Sequence, residues 1–381
     1  EIIHVLEDKG QEVTYRNVWM LDGNEEELEV YVGDIRRRIP FAKKSKKTEA
    51  YLHNLADIQL ENGRITKVLV KKERFSGKLL SVREDAVEIE GYGVVPLDEE
   101  YKILKTYGGL ERMEPEDLLI GYDIQEFVAA GGKICAVLAV REFDAGMIRV
   151  LLMTEGFRGI YHDQVTLAGD SPLTVSWKDQ TLEVKAGEEF TVLPGDGRLA
   201  GGRMIVTAAD GGEIRVCSLK REEVQPSYGG RLELVDSGEG LVLINELYLE
   251  DYLKKVIPSE MPPSYEKEAL KAQAVCARTY AYMQIQSNTY SQYGAHVDDS
   301  TNFQVYNNMA GDPNTEAAVD ETYGKMLLYE GKPVTTYYFS TSCGTTADSS
   351  VWGGDPGLTP YLKGVTLQPG RRALEFGSND E

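Results

Sequence analysis

Glu260 is the residue of this sequence best suited to moving a proton. It lies in Ile257-Pro258-Ser259-Glu260-Met261-Pro262-Pro263, between two helical stretches. Three prolines restrict that backbone, so the carboxyl is held on a stiff connector and not on a mobile loop. Ile257 and Met261 flank it and can line an apolar pocket. Such a pocket penalises the charged form and can raise a glutamate from about 4.3 towards about 6, where it donates a proton near neutrality. The same carboxylate could instead cap, or simply decorate, the following helix. Arg278 is the second residue of interest, a full charge in the middle of an otherwise apolar helical stretch. An unpaired buried guanidinium is very costly, so it needs a carboxylate, a set of carbonyls or a substrate. Glu260, upstream of the same helix, is one candidate partner; a structural ion pair with another acid is the other reading.

A third constellation is Cys343 with His296. A thiol nucleophile needs a base and a depressed pKa, and the pair would suit acyl transfer. The hydroxyl-rich surroundings of Cys343 carry no known nucleophile signature. A packed loop thiol and a surface histidine account for both residues.

These side chains need a frame. Leu249, Tyr252, Leu253 and Val256 fall at helical spacing, so Tyr248 to Ile257 reads as a short amphipathic helix that Pro258 stops. A second helix is expected from Tyr265 to Gln286, with Glu266 and Glu268 in its first turn, where acids favour the positive end. Its body is small or apolar nearly all round, the composition of a helix buried at the domain centre. Val334 to Phe339 reads as a strand, followed by a loop from Ser340 to Trp352.

Upstream, the chain reads as β-structure. Ala56 to Leu60 and Arg64 to Val70 alternate apolar with polar residues around Asn62-Gly63, a pair suited to a turn with positive φ at both positions. Lys78 to Val82 and Ala86 to Glu90 follow as two more short runs, joined by the polar Arg83-Glu84-Asp85. Strands this short, with tight turns, point to SH3-like or small-barrel sheets. Glu142 to Gly146 precedes a new β run, Met147 to Leu152, and marks the expected domain boundary. The fold class is therefore α+β: a β-rich accessory region over 1–145, and a mixed α/β catalytic domain with a central buried helix over 146–381.

The bulk numbers fit folded domains. The chain has 381 residues, 42% hydrophobic and 27% charged, with a formal net charge of −21. A nucleic-acid partner is not expected of so acidic a chain. The basic stretch from Arg36 to Lys47 reads as a solvated loop or edge strand, the alternative being contact with an anionic wall polymer or membrane surface. Cys135, Cys217, Cys276 and Cys343 form no CxxC pair, so neither a zinc ribbon nor a redox motif is present. No uninterrupted apolar run of about eighteen residues occurs. The chain begins at Glu1, as expected of a form without its natural signal or membrane anchor.

Asn245 to Leu253, Val256 to Pro262, Glu268 to Tyr280, Gln304-Val305-Tyr306, Tyr338 to Gly344 and Val351-Trp352-Gly353 occur in that order. Together they closely resemble the stage II sporulation protein D family, over roughly Met147 to Val365. The resemblance implies cleavage of peptidoglycan between N-acetylmuramic acid and N-acetylglucosamine, on glycan strands stripped of stem peptides, with Glu260 as the catalytic acid. It also implies an extracellular or cell-surface location. Arg278, Gln304, Tyr306, Tyr338, Ser340 and Ser342 match positions expected near the cleft. One carboxyl can suffice: Glu260 protonates the glycosidic oxygen, then takes the proton of the sugar's own 6-hydroxyl as a 1,6-anhydro ring closes. A hydrolase needs a second carboxylate, for which Asp298, Asp299 and Glu268 are candidates. Some relatives place Cys and His before the Gln-Val-Tyr motif, consistent with zinc. Here only His296 and Asp298 could serve, short of the four ligands of a structural site, so no metal and no cofactor is expected. Amidase-enhancer proteins share the domain, which makes a glycan-binding regulator of wall amidases the alternative function. A further helix expected of the complete domain is missing from Gly370 to Glu381.

Overall fold

The computed structural model describes residues 12–366 except 33–34, 222, 288, 308–310, 340–341 and 343. Among the described residues it is strand-dominated with three α-helices, an α+β fold.

The first sheet joins β1 (Glu12–Gly23), β2 (Glu27–Val32), β3 (Ile35–Pro40), β4 (Leu55–Glu61) and β5 (Arg64–Val70) in the order β3-β2-β1-β4-β5, all antiparallel. Asn62 and Gly63 have φ of 50° and 72°, which lets two residues reverse the chain between β4 and β5. The sheet curls until Phe41, just past β3, bridges Ile65 of β5, and Met20, Leu28, Val30, Ile58 and Leu60 fill the interior. It is a small barrel. The basic stretch lies along β3 and the loop beyond it, where Arg38 pairs with Glu27 and Glu29, and Lys44 with Glu26. These are exposed ion pairs on a solvated strand.

A second sheet follows, built from β6 (Glu73–Ser76), β7 (Leu79–Val82), β8 (Ala86–Ile89), β9 (Gly93–Lys105), β10 (Glu111–Arg112), β11 (Gln125–Ala130) and β12 (Lys133–Ala139). Trp19 and Leu55 of the barrel pack with Leu104, Val128 and Leu138 of this sheet.

The third unit begins at β13 (Met147–Leu152). It adds β14 (Val165–Gly169), β15 (Leu173–Trp177), β16 (Gln180–Val184), β17 (Phe190–Val192), β18 (Met204–Ala208), β19 (Ile214–Val216), β20 (Ser227–Tyr228), β21 (Arg231–Asp236) and β22 (Leu241–Tyr248). After β22 come α1 (Leu249–Glu260), α2 (Lys267–Ile285), the short β23 (Val297–Asp298) and α3 (Pro313–Glu321). Seven strands form one sheet in the order β16-β15-β18-β21-β22-β13-β23, and a four-stranded sheet lies beside it. The largest apolar cluster unites both sheets with Leu253, Val256 and Ile257 of α1 and Leu270, Ala274, Ala277 and Ala281 of α2.

The second and third units are tied by buried and half-buried charge pairs. Arg203 reaches Glu88 at 2.6 Å, Lys78 reaches Glu246 at 2.7 Å, and Arg231 reaches Glu90 at 2.7 Å. Arg149, wholly buried, pairs with Glu233 at 2.6 Å and with Glu246. The Arg149 stem leaves no space for a side chain at residue 121: a Cβ on Gly121, whose φ is +80°, would lie 2.5 Å from Arg149 Cδ.

Two elements differ from their sequence reading. Pro258 does not stop α1, which runs on to Glu260. Proline's fixed φ is compatible with helix, and only one intrahelical bond is lost. The break falls at Met261, whose extended backbone (φ −142°, ψ 130°) is what the residue before a proline requires. Residues 334–339 are irregular and not a strand. They lie along a helix instead of a sheet partner, with Thr336 Oγ1 donating to the carbonyl of Cys276 on α2 at 2.7 Å.

Candidate active site

Glu260 ends α1, so its carboxyl is placed by a helix whose apolar face is locked into the core. α1 buries Leu249, Tyr252, Leu253, Val256, Ile257 and Pro258, leaving Glu260 half-buried at the tip. Its Oε1 accepts the Val305 backbone N–H at 2.7 Å. The Tyr338 hydroxyl is hydrogen-bonded to the same carboxyl. Burial pushes the Glu260 pKa above the ordinary glutamate value, against the pull of those two donors. The net effect favours a carboxyl that keeps its proton longer than a solvated one.

Tyr338 is in turn held by Gln304. Gln304 Nε2 donates to the Tyr338 oxygen at 3.2 Å and to the Ala277 carbonyl at 3.2 Å, while Tyr252 OH donates to Gln304 Oε1 at 3.4 Å. Tyr338 therefore accepts from the amide and has its own proton to give to Glu260. Burial and the facing Glu260 carboxylate both push the Tyr338 pKa up, so it stays a donor at any working pH. Gln304 and Tyr338 also line a cavity of about 390 Å³ with Tyr280, Thr301, Asn302, Phe303, Thr336 and Tyr337. Glu260 adjoins this cavity through Tyr338. Aromatic faces with hydroxyl and amide groups between them are the surface a sugar ring needs, apolar C–H faces meeting rings and hydroxyls meeting polar edges.

Other expected site residues sit elsewhere. Arg278 does not meet Glu260. It makes a two-point ion pair with Glu250 of α1, and its remaining N–H groups reach the Val319 and Lys325 carbonyls. At 2% exposure it joins α1, α2 and α3 as a structural pair, the second of the two readings open to it. Tyr306 is fully buried among Tyr228 and Tyr252, with its hydroxyl on Asn245 Oδ1 at 3.0 Å. It belongs to the core beneath the site and not to a cleft wall, because its apolar ring is worth more inside the domain than at a wet surface. Ser342 is half-buried in the loop beyond Tyr338; Ser340, Cys343 and residues 367–381 lie outside the described residues.

The candidate second carboxylates are committed to other partners. Asp299 is buried and takes Arg221 at 2.5 Å and the Met153 N–H at 2.9 Å. Glu268 is exposed and pairs with Lys271. Asp298 accepts only neutral donors from its own loop and Tyr290. His296 is buried with both ring nitrogens engaged: Nδ1 accepts the Arg149 N–H and Nε2 meets the Ile120 carbonyl. Burial and the Arg149 charge bring its pKa down to about 4. A histidine so occupied cannot serve as base to a thiol, nor offer a lone pair to a metal without breaking those contacts. Among the described residues no group of three or more His, Cys, Asp or Glu side chains could hold a metal, and Cys135, Cys217 and Cys276 are free. No helix among them is long and apolar enough to cross a membrane.

Sequence reasoning did not single out the Val305 amide, since a backbone donor carries no residue signature. Tyr280 closes one quoted motif and Phe303 immediately precedes another, and neither was marked; aromatic residues at or beside the motifs were the available signal.

Residues 237–329, from just before β22 to Tyr329 beyond α3, match the family described as Stage II sporulation protein. The chain is 43% identical over 159 residues to an uncharacterised protein of Brachyspira hyodysenteriae, covering 39% of this chain and 42% of that protein. It is 44% identical over 111 residues to an amidase enhancer of Bacillus subtilis, covering 29% of this chain and 14% of the relative. To the stage II sporulation protein D of Bacillus subtilis it is 36% identical over 136 residues, 32% of this chain and 39% of the relative. The chain thus spans less than half the length of these curated relatives.

Proposed function

The chain carries a domain of the stage II sporulation protein D and amidase-enhancer family, and from that premise we propose that it cuts the glycan strand of peptidoglycan as a lytic transglycosylase. The observation that carries this reading is the Glu260 carboxyl: half-buried, raised in pKa, oriented by two donors and beside an aromatic-lined cavity. A carboxyl that holds its proton can donate it to the glycosidic oxygen between N-acetylmuramic acid and N-acetylglucosamine. The resulting carboxylate is stabilised by the Val305 N–H and Tyr338 OH, and is placed to take the proton of the sugar's own 6-hydroxyl. That closes a 1,6-anhydro ring without a second acid. No described carboxylate is hydrogen-bonded into the Glu260 cluster, which favours this route over a two-carboxylate hydrolase.

The cavity's rings and amides serve as the sugar platform, with Tyr280, Phe303 and Tyr337 available for stacking. The working location in this reading is the cell surface or beyond, during wall remodelling or sporulation. The N-terminal β units over 1–145 would act as an accessory region, and no nucleic acid is involved.

The relative named amidase enhancer supports a second reading, in which the same groove binds glycan strands and modulates a wall amidase without cutting. Incubation with peptide-free glycan strands separates the two. Anhydro-muramyl ends seen by mass spectrometry with the wild type and absent with Glu260→Gln establish the enzyme. Glycan binding without new ends establishes the regulator.

A further inference from the structure

Resting on the reading of Glu260 as proton donor, we infer that Asp298 is a positioning residue that folds the loop holding the Glu260 carboxyl. Asp298 closes β23, whose Val297 and Asp298 pair in parallel with Val150 and Leu151 of β13, so one end of the loop is fixed to the main sheet. Its side chain is fully buried and accepts four hydrogen bonds. Oδ1 takes the Ser300 N–H at 2.8 Å and the Ser300 hydroxyl at 2.6 Å, and Oδ2 takes Tyr290 OH at 2.9 Å and Asn302 Nδ2 at 3.2 Å.

Three of those four donors belong to the loop itself. The turn is tightened further by Asn302 N–H to Ser300 Oγ, Phe303 N–H to the Ser300 carbonyl and Tyr306 N–H to the Asp299 carbonyl. Asp299 points the other way, into Arg221 and the Met153 amide, so adjacent aspartates anchor the loop on both sides. What the loop then presents is Val305 N–H to Glu260 and Gln304 to Tyr338. Asp298 is the acceptor around which the donors of the active carboxyl are arranged.

Asp298→Asn is nearly the same shape but cannot satisfy this site. Whichever oxygen becomes an amide faces two donors, so the loop must shift and the Val305 bond weakens. The titratable groups facing Glu260 are Tyr338, Tyr252 and Tyr280, all raised by burial and silent in the acid range. Loss of the Asp298 charge alone would make Glu260 easier to ionise. Loss of the Val305 donor makes it harder, so the sign of the change identifies the cause.

The test is a 13C titration of the Glu260 carboxyl in the full chain without substrate, the resonance being assigned by its disappearance in Glu260→Gln. In folded Asp298→Asn the Glu260 midpoint is expected to rise by about one pH unit, the scale of a lost hydrogen bond to a charged group. Asn302→Ala, at an exposed position, should give a smaller rise in the same direction and secures the test if Asp298→Asn folds poorly. A midpoint unchanged or lowered in the folded variants overturns the inference. The titration needs no turnover, so a wild type that makes no anhydro products would end the enzyme reading and leave this result standing.

Discussion

Arg278 Nε and Nη2 lie 2.7 and 2.8 Å from the two carboxylate oxygens of Glu250, closing a fork between α2 and the first turn of α1. The pair fixes the two helices at the end of α1 opposite Glu260. Arg278 thus bears on the position of Glu260 only through α1, the helix that ends on it.

Removing one member should therefore be worse than removing both. Arg278→Met strands Glu250, whose side chain is 19% exposed, and should cost about 3 kcal/mol, the lower end for breaking a buried pair. Arg278→Met with Glu250→Leu should recover much of it. Urea denaturation of the two single variants and the double variant measures the coupling; additive losses would show the fork to be energetically idle.

Glu260→Gln should abolish glycan cleavage, by roughly 10²–10⁴-fold for loss of a general acid, while far-ultraviolet circular dichroism stays that of the wild type. Gln Oε1 can still accept the Val305 N–H, so the loop is retained. Cleavage at an undiminished rate would remove Glu260 from the chemistry.

The same substitution should change the pH dependence of stability. Glu260 is raised in the folded state, so between its unfolded and folded midpoints the native chain binds more protons than the unfolded one. Stability then falls as pH rises through that window, and the folded protein carries the penalty at neutral pH. Glu260→Gln is expected to melt at a higher temperature than wild type at pH 7, with the gap closing as pH falls below 4. A lower melting temperature at pH 7 would contradict the burial account.

His296 and Asp299 predict opposing slopes in acid. Buried neutral His296 has its midpoint brought down to about 4, so from pH 6.5 downward the unfolded chain takes a proton that the native one refuses, and stability is lost. Asp299, raised to about 6 by burial despite Arg221, favours the protonated native state and gains stability over the same fall. His296→Gln should therefore flatten or invert the loss of stability between pH 6.5 and 4. Thermal melts across that range read the sign directly.

Much of this was legible in the residues themselves. The Asn62-Gly63 hairpin follows from a residue pair suited to positive φ at two positions, and the β runs at Leu79 and Met147 follow from short apolar stretches bounded by polar turns. The buried α2 could be read because small residues recur on nearly every face. Pro258 misled because a proline weighs as a stop in sequence, whereas the helix tolerates it and ends only where Pro262 forces Met261 to extend. Val334 to Phe339 misled because β-branched and aromatic residues suit a strand but do not supply the neighbour that makes one.

Sequence alone determined that a proline-bounded glutamate precedes a helix with a buried arginine, since residue type and spacing are local and covalent. Which acid meets that arginine, and which amide meets that glutamate, only the tertiary structure decided. On paper, Glu260 and an unspecified second acid are both open to Arg278, and that second acid is Glu250. The packing of α1 against α2 brings one to Arg278, and a loop hung on a buried aspartate brings the Val305 N–H to the other.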